Sequence, residues 1–166
     1  MIRLNRDKLL TIKKMIRENK LKARVGIMGS GSARGAKNLK QAYKILEKGE
    51  TLTNAQIGLW HEFGTTRMPM RSFLRMPLNY KFHDYLKKSR GIKTTVLQRC
   101  YEERSLEFLF WRIGVIARTV ILDAFSSGGF GRWAPLSAYT LSRKKVNQIL
   151  VETQDLRNSI THTVVK

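Results

Sequence analysis

The chain has 166 residues, of which 42% are hydrophobic, and this length and composition predict one domain with a buried core over residues 1–166. Its 32 basic and 12 acidic side chains give a formal net charge of +20, which is unlike an ordinary soluble enzyme. Such a charge indicates a polyanionic neighbour: nucleic acid first, an acidic protein surface second and an anionic membrane third.

The N-terminal segment, residues 1–20, predicts a basic amphipathic helix. Apolar side chains gather on one side of it, and lysines and arginines cover the other. Such a helix can lie on nucleic acid or on a membrane, or it can pack one face in the core and leave its basic face in solvent. The charges close behind Met1 argue against a signal peptide, and no segment has the ~20 uninterrupted apolar residues that span a bilayer. We therefore expect a soluble chain, made in the cytoplasm, with no membrane partner.

A short strand at residues 22–28 is predicted to lead into a glycine-rich loop, residues 29–37. The loop matches neither phosphate-binding motif. Arg34 replaces the last glycine of a dinucleotide fingerprint, and Gly35 is not followed by the lysine of a P-loop. We interpret the loop as a flexible connector, or as a segment that orders only on a partner, and residues 38–48 as a second helix. The candidate DNA-facing cations of this part of the chain are Lys13, Lys14, Arg17, Arg34, Lys37 and Lys40.

Residues 55–78 carry the strongest local signals. A short apolar helix is predicted to end at Gly64, because glycine adopts a positive φ cheaply. Thr53 or Asn54 is the expected N-cap of this helix.

The loop that follows this helix is predicted to be pinned at both ends. Pro69 fixes a rigid segment, and Phe73 with Leu74 is expected to anchor the far end in a core. Three arginines are expected to project from it: Arg67, Arg71 and Arg75. A pinned loop with several arginines favours a docking surface over a catalytic one.

Residues 79–90 interleave aromatic side chains with lysines and arginines. Tyr80, Phe82 and Tyr85 could stack on bases, as in single-strand binding proteins. The alternative, which we favour, is a helix with buried rings and a solvated basic side, ended by Gly91.

One long helix is predicted over residues 94–125, with Thr95 and Gln98 as a capping box. It is apolar over so much of its circumference that it must lie at the centre of a domain or contact another subunit. Gly114 within it indicates either a close approach of another backbone or a tolerated weak point. Cys100, the single cysteine, is interpreted as a small core residue.

The C-terminal region, residues 133–166, opens with a loop. Trp133 and Pro135 could form a ligand-binding platform or pack this loop against a core helix, and we favour the packing role. Ser137 is predicted to cap a short helix that runs through Lys145.

The end of the chain predicts short elements. Residues 148–151 suit a strand, Thr153 or Asp155 is expected to cap one helical turn, and residues 159–165 suit a closing strand. The predicted fold class is therefore α+β, with one long central helix and several shorter helices packed on a small, mostly antiparallel sheet.

The residue types do not favour an enzyme. His61 and Glu62 could start a zinc-protease helix, but that motif requires a second histidine where this chain has Thr65. The three histidines are far apart in sequence, and Cys100 cannot complete a local metal cluster, although its pairing with a histidine by folding is left open. We expect no catalytic, metal or cofactor site, and we interpret His61 and Glu62 as residues that orient the Gly64 loop.

Two motifs occur in order along the chain. The first reads A-x-I-x-x-x-H-E-F-G-T from Ala55 and continues as M-P-M-R-S-F-L-R to Arg75. The second reads W-A-P-L-S-x-x-T from Trp133 and, beyond Lys144, I-L-V-x-T-x-x-L-R-x-S-I. Together they resemble the signature of the bacteriophage virion morphogenesis family, the tail completion proteins of Mu-like and related tailed phages. One departure is Gln154, where that family usually has glycine.

The resemblance implies a structural virion protein, placed in the tail or neck and present in the host cytoplasm during assembly. It implies a ring, hexameric in the family, around the DNA channel, with other tail, neck or connector proteins as partners and non-specific contact with packaged DNA. The docking-loop residues are then His61, Glu62, Phe63, Gly64, Arg67, Pro69, Arg71, Phe73 and Arg75, and those of the C-terminal motif are Trp133, Pro135, Leu136, Leu156 and Ser159.

The alternative is a free basic nucleic-acid-binding protein without sequence specificity. It explains the charge but not the two ordered motifs. Charge reversal at the three loop arginines is expected to block virion completion if the loop docks, whereas a free DNA binder is expected to depend more on the N-terminal helix.

Overall fold

The computed structural model describes residues 5–28, 53–66, 68–88, 92–144, 147–152 and 154–166. Its elements, in chain order, are α1 Arg6–Glu18, β1 Lys22–Ile27, α2 Asn54–Phe63, α3 Arg75–Lys88, α4 Thr94–Glu102, α5 Glu107–Ser126, α6 Ala138–Arg143, α7 Asp155–Asn158 and β2 Ile160–Val165. In these residues helices predominate over a two-stranded sheet, so the predicted α+β class is confirmed. Several predicted features lie outside the described residues: the loop 29–37 with Arg34 and Lys37, the helix 38–48 with Lys40, and Arg67, Gly91, Lys145 and Thr153.

The helix α5 occupies the centre of the fold and contacts α3, α4 and both strands. The main core surrounds its C-terminal half, where Phe125 meets the rings of Phe73 and Trp133 edge to face at centroid distances of 5.4 and 5.7 Å. A second core cluster joins α4 to the start of α5 and includes Cys100, which is fully buried as predicted. The central role expected for this helix is therefore confirmed.

The two strands bring the ends of the described chain together. β1 pairs with β2 in antiparallel register, with Lys22 opposite Val165 and Ile27 opposite Ile160. Both strands pack against α5, while the predicted N-terminal helix α1 packs against α4. α1 begins after Asn5, whose side chain accepts a hydrogen bond from the Lys8 amide.

The prediction of a single helix over residues 94–125 is wrong, because the helix is interrupted between α4 and α5. Arg104 adopts a left-handed conformation with φ 50°, and Leu106, just before α5, is buried in the second core cluster. The periodic apolar pattern does not reveal this turn, since an apolar residue at position 106 fits both a continuous helix and a turn that is buried in the core. The predicted capping box is also wrong: α4 begins after Lys93, and the Gln98 side chain donates to Glu102 instead.

The strand predicted at residues 148–151 is also wrong. The segment forms a turn in which Leu150 adopts φ 59°, although Val151 is buried as a strand residue would be. Asp155 is the first residue of α7 rather than its cap, and Gln154 takes the cap position with φ 63°. The closing strand is confirmed as β2.

Among the described residues, no helix combines the length and the apolar character needed to cross a lipid bilayer.

Candidate functional site

The carboxylate of Glu62 holds the loop between α2 and α3 against the start of α3. Glu62 lies in the last turn of α2 and is 4% exposed. It accepts hydrogen bonds from the hydroxyl of Ser72 at 2.7 Å and from the backbone amides of Phe73, Leu74 and Arg75 at 2.9 to 3.0 Å. These amides lie at the N-terminal end of α3, where helical N–H groups lack intrahelical acceptors. Glu62 therefore caps α3 from another helix, in agreement with its predicted orienting role.

The ionised form of Glu62 is favoured despite its burial. Burial raises its pKa, but hydrogen bonds from the Leu74 amide, the Ser72 hydroxyl and both the amide and guanidinium of Arg75 outweigh that effect, so the pKa lies below its ordinary value. The carboxylate is thus a fixed negative charge within this loop.

The short loop between α2 and α3 is closed on itself. Gly64 ends α2 with φ 75°, and a Cβ at this position would lie 2.9 Å from the Met70 amide nitrogen. The amide of Thr65 donates to the Met68 carbonyl, and the amide of Arg71 donates to the His61 carbonyl at 2.8 Å. The predicted glycine stop is confirmed.

Of the loop arginines, Arg75 lies at the surface and Arg71 is buried. Arg75 donates from Nε to Glu62 at 2.9 Å and lies over the Phe63 ring at 4.3 Å, so it is held on the surface of the loop. Arg71 is only 8% exposed and donates from Nε and Nη2 to the carbonyls of Ala134 and Pro135, each at 3.0 Å. The prediction that the arginines project is therefore wrong for Arg71, whereas the Arg75 side chain stays 55% exposed while it is paired with Glu62.

Trp133 joins the C-terminal motif to the same loop. Its indole Nε1 donates to the Ser72 carbonyl at 3.0 Å, and its ring is buried against Phe125. A Cβ on Gly129 would lie 2.4 Å from the indole, so glycine is required there. Trp133 is thus a packing anchor, as we favoured, whereas Pro135 is exposed and lines the cleft described next.

A cleft of about 390 Å³ lies where the two motifs meet. Arg71 and Leu156 are its most buried lining residues, and Pro69, Pro135 and Glu152 are exposed around it. Other lining residues include Ile57, His61, Leu136, Ser137, Lys144 and Asp155. Ser159, the remaining residue of the C-terminal motif, donates from its hydroxyl to the Leu156 carbonyl and stabilises the turn behind the cleft.

Two cations and two carboxylates surround this cleft. Burial has the largest effect on the pKa of Lys144 and lowers it. The Glu152 carboxylate raises this pKa and the Arg71 charge lowers it, so both groups lie within electrostatic reach of Lys144. The Lys144 ammonium donates to the Gln148 carbonyl at 2.7 Å. Burial also lowers the pKa of Arg71.

An apolar patch lies beside the loop on α2. Leu59 and Phe63, one helical turn apart, are each 57% exposed, and Met70 is exposed nearby in sequence. A smaller cleft of about 280 Å³ lies beside Phe63, lined by Ile27, Phe63, Leu74 and other residues. Of the predicted docking residues, Phe63 thus faces solvent, whereas Phe73 is fully buried in the core.

The basic face of α1 is a separate surface. Lys13, Lys14 and Arg17 are exposed, and Lys14 has only a 4.0 Å contact with Glu18. Of the aromatic residues on α3, Tyr85 donates to Asp123 at 2.7 Å, and burial followed by that contact raises its pKa to about 12. Tyr80 stays exposed under the guanidinium of Arg132 at 4.1 Å.

Metal-binding residues do not converge in the described ranges, where no group of three or more His, Cys, Asp or Glu side chains could hold an ion. Burial raises the pKa of the Cys100 thiol, which makes it a poor nucleophile at neutral pH.

Comparison with known proteins adds no relative: no family model, no curated protein and no solved structure matches the chain.

The sequence alone did not reveal the cleft. Lys144 and Arg71 belong to different motifs, and nothing local to either residue indicates that they share one cavity. Several motif residues line it, and Gln154 is one further signal, because its left-handed φ of 63° is a conformation that favours glycine.

Proposed function

We propose that this chain is a structural protein of a tailed bacteriophage virion, a tail completion or neck protein that assembles as a ring around the DNA channel. The proposal rests first on the resemblance of its two motifs to the virion morphogenesis family. In that family the ring is hexameric, and the neighbours are other tail, neck or connector proteins.

One structural observation carries the proposal beyond the motif match. Residues of the two motifs, far apart in sequence, are bonded to each other through Arg71 and the carbonyls of Ala134 and Pro135, and through Trp133 and the carbonyl of Ser72. Motif residues that build one interlocked unit are expected if a family shares a scaffold, because each contact requires both partners. Chance matches in two unrelated segments would not be expected to bond in this way.

Charge and surface support the same proposal. A net charge of +20 makes copies of the chain repel one another, so ring closure is expected to require salt, DNA or acidic neighbours. Contacts to DNA in such a ring would be to phosphates, without base readout. The exposed Leu59 and Phe63 on α2 supply apolar area of the kind that subunit contacts bury.

The alternative, a free nucleic-acid-binding protein, is supported by the exposed cations of α1. A helix face on which cations outnumber carboxylates binds DNA non-specifically without any ring. The two proposals differ in whether the chain assembles.

Mass measurement by light scattering, at low and high salt and with and without a short duplex DNA, tests the proposal. A discrete species of about six chain masses, promoted by salt or by DNA, is the expected result. A monomer under all four conditions that binds the duplex with a steep salt dependence would overturn the ring and favour the alternative.

A further inference from the structure

Arg71 is a buried cation that forms no ion pair with a carboxylate of the described residues. Two of its five N–H donors reach backbone carbonyls, and among the described residues no carboxylate lies within ion-pair distance of it. A buried charge that is satisfied only by neutral carbonyls leaves donor capacity and positive potential unused. Arg71 also lines the cleft where the two motifs meet.

The rest of the cleft defines what would complement that charge. Lys144 adds a second cation, and Ile57, Leu136 and Leu156 add apolar lining. A ligand that fits therefore combines a negative group with apolar neighbours. The two carboxylates, Glu152 and Asp155, oppose a ligand that carries many negative charges close together.

We propose that the cleft between the two motifs binds a peptide segment of a partner protein, in which one aspartate or glutamate is flanked by apolar side chains. The carboxylate lies against Arg71 and Lys144, and the apolar side chains contact Leu136 and Leu156. Nucleic acid is disfavoured here because successive phosphates would meet Glu152 and Asp155. The inference deepens the proposed function by giving the chemistry of a neighbouring virion protein, and it rests on that function only for the identity of the neighbour.

A random dodecapeptide library displayed on yeast tests the proposal even though the partner is unidentified. The full chain is the bait, and the Lys144→Glu variant serves as a competitor that removes peptides bound elsewhere on the basic surface. Enriched peptides are expected to contain an acidic residue between apolar ones. A library that yields no enriched peptide, or yields peptides without an acidic residue, overturns the proposal.

Matched variants then test the best peptide by calorimetry. Replacing its acidic residue with the amide should weaken binding about tenfold or more. Lys144→Gln should weaken binding, whereas Glu152→Gln should strengthen it, since it removes a repelling charge from the cleft. Lys88→Gln, which removes the same charge from the exposed end of α3, should leave the affinity unchanged. Equal effects of Lys144→Gln and Lys88→Gln would mean that only net charge matters, and would overturn the site.

A duplex of 12 base pairs, about one helical turn, serves as the competing probe. If the duplex displaces the peptide from the wild type and displaces it equally well from Glu152→Gln, the cleft binds phosphate and the proposal is wrong. The outcome is separate from that of the mass measurement. If the chain binds the acidic peptide in the cleft but forms no ring, this inference stands and the proposed function is wrong. If the chain forms a ring but the cleft variants bind the peptide as tightly as the wild type does, the proposed function stands and this inference is wrong.

Discussion

The carboxylate of Glu62 accepts hydrogen bonds from residues 72–75 inside a nearly closed site. Glu62→Gln keeps the size of the side chain but replaces one acceptor oxygen with a donor that faces other donors. We expect the variant to lower the free energy of unfolding by about 2–4 kcal/mol at pH 7, measured by urea denaturation.

The same substitution has a predictable pH dependence. The folded-state pKa of Glu62 lies below its unfolded value of about 4.3, so its stabilisation is present above that value and is lost as the pH falls through the folded pKa. The difference between wild type and Glu62→Gln should therefore shrink as the pH falls below about 4. Glu152→Gln, at an exposed position, is the control and should change little; a difference that persists at low pH would contradict the assignment.

His162 lies on β2, and the two nitrogens of its imidazole are buried without a hydrogen-bond partner. Its ring packs beside Trp111, at a centroid distance of 5.8 Å, and near the guanidinium of Arg118. Burial, and then the Arg118 charge, lowers its pKa. Because the folded pKa is depressed, the unfolded chain binds the proton first, and stability should fall as the pH drops from about 6.5 through the folded pKa.

His162→Phe keeps a ring at this position and removes the titration. Its unfolding free energy should no longer depend on pH just below pH ~6.5, while the loss of stability at acid pH that is attributed to Glu62 remains. His83→Gln, at an exposed position on α3, should retain the wild-type profile. An unchanged slope in His162→Phe would show that another group titrates in that window.

At the scale of elements, α5 and β2 approach closely at Gly114. A Cβ at this position would lie 2.7 Å from Cδ2 and 3.3 Å from Cβ of His162, so the close neighbour is a side chain rather than the backbone that the sequence suggested. Gly114→Ala should gain about 1 kcal/mol of helix propensity but lose about 1–3 kcal/mol to the clash, so the expected net effect is a destabilisation of up to about 2 kcal/mol.

A double-variant cycle isolates that contact. In the background of His162→Ala the ring is gone, and Gly114→Ala should become neutral or stabilising in thermal unfolding. A Gly114→Ala variant that is equally destabilising in both backgrounds would place the cause elsewhere in the helix.

The turn before α7 contains a residue with a strained backbone conformation. Gln154 has φ 63° and no side-chain capping bond, so Gln154→Gly should raise the unfolding free energy by about 0.5–1 kcal/mol. Gln154→Ala retains the backbone strain and is the matched control. If both variants change stability equally, the effect belongs to the lost side chain.

At the scale of the whole molecule, the surplus of cations decides how the chain meets polyanions. If the face of α1 contacts DNA, the double variant Lys13→Gln, Arg17→Gln should reduce the slope of log affinity against log salt by about two, since each phosphate contact contributes about one. Fluorescence anisotropy with a labelled duplex over a salt series measures the slope.

The control removes the same charge from another helix. Lys87→Gln with Lys88→Gln, at the exposed end of α3, should leave the slope nearly unchanged. Equal reductions by the two double variants would show that DNA responds to net charge and not to α1.

Charge reversal of the loop arginines is no longer a clean test of docking. Arg71 and Arg75 hold the carbonyls of Ala134 and Pro135 and the carboxylate of Glu62, so reversing either charge is expected to damage the fold itself. Leu59→Gln, at an exposed apolar position on α2, probes the surface without breaking those bonds.

Features that depend on neighbours within about four residues were predictable from the sequence. Thr53 caps α2 through a capping box with Gln56, Gly64 ends that helix, and Ser137 caps α6 through the Thr140 amide. The α+β class also follows from such local patterns, because apolar spacing and glycine stops mark each element in turn. The same local patterns failed at the break before α5, where burial of Leu106 in a tertiary cluster outweighed helical continuity.

The candidate site depended on contacts between distant segments. The motifs identified Arg71, Glu62 and Trp133, but an arginine in a polar loop is ordinarily solvated, and no local rule predicts that Arg71 will be buried on the Ala134 and Pro135 carbonyls. The sequence by itself determined the local elements and the large positive charge. Only the tertiary structure decided which charged side chains are paired within the chain and which line the cleft, because desolvation and pairing depend on what packs around each group.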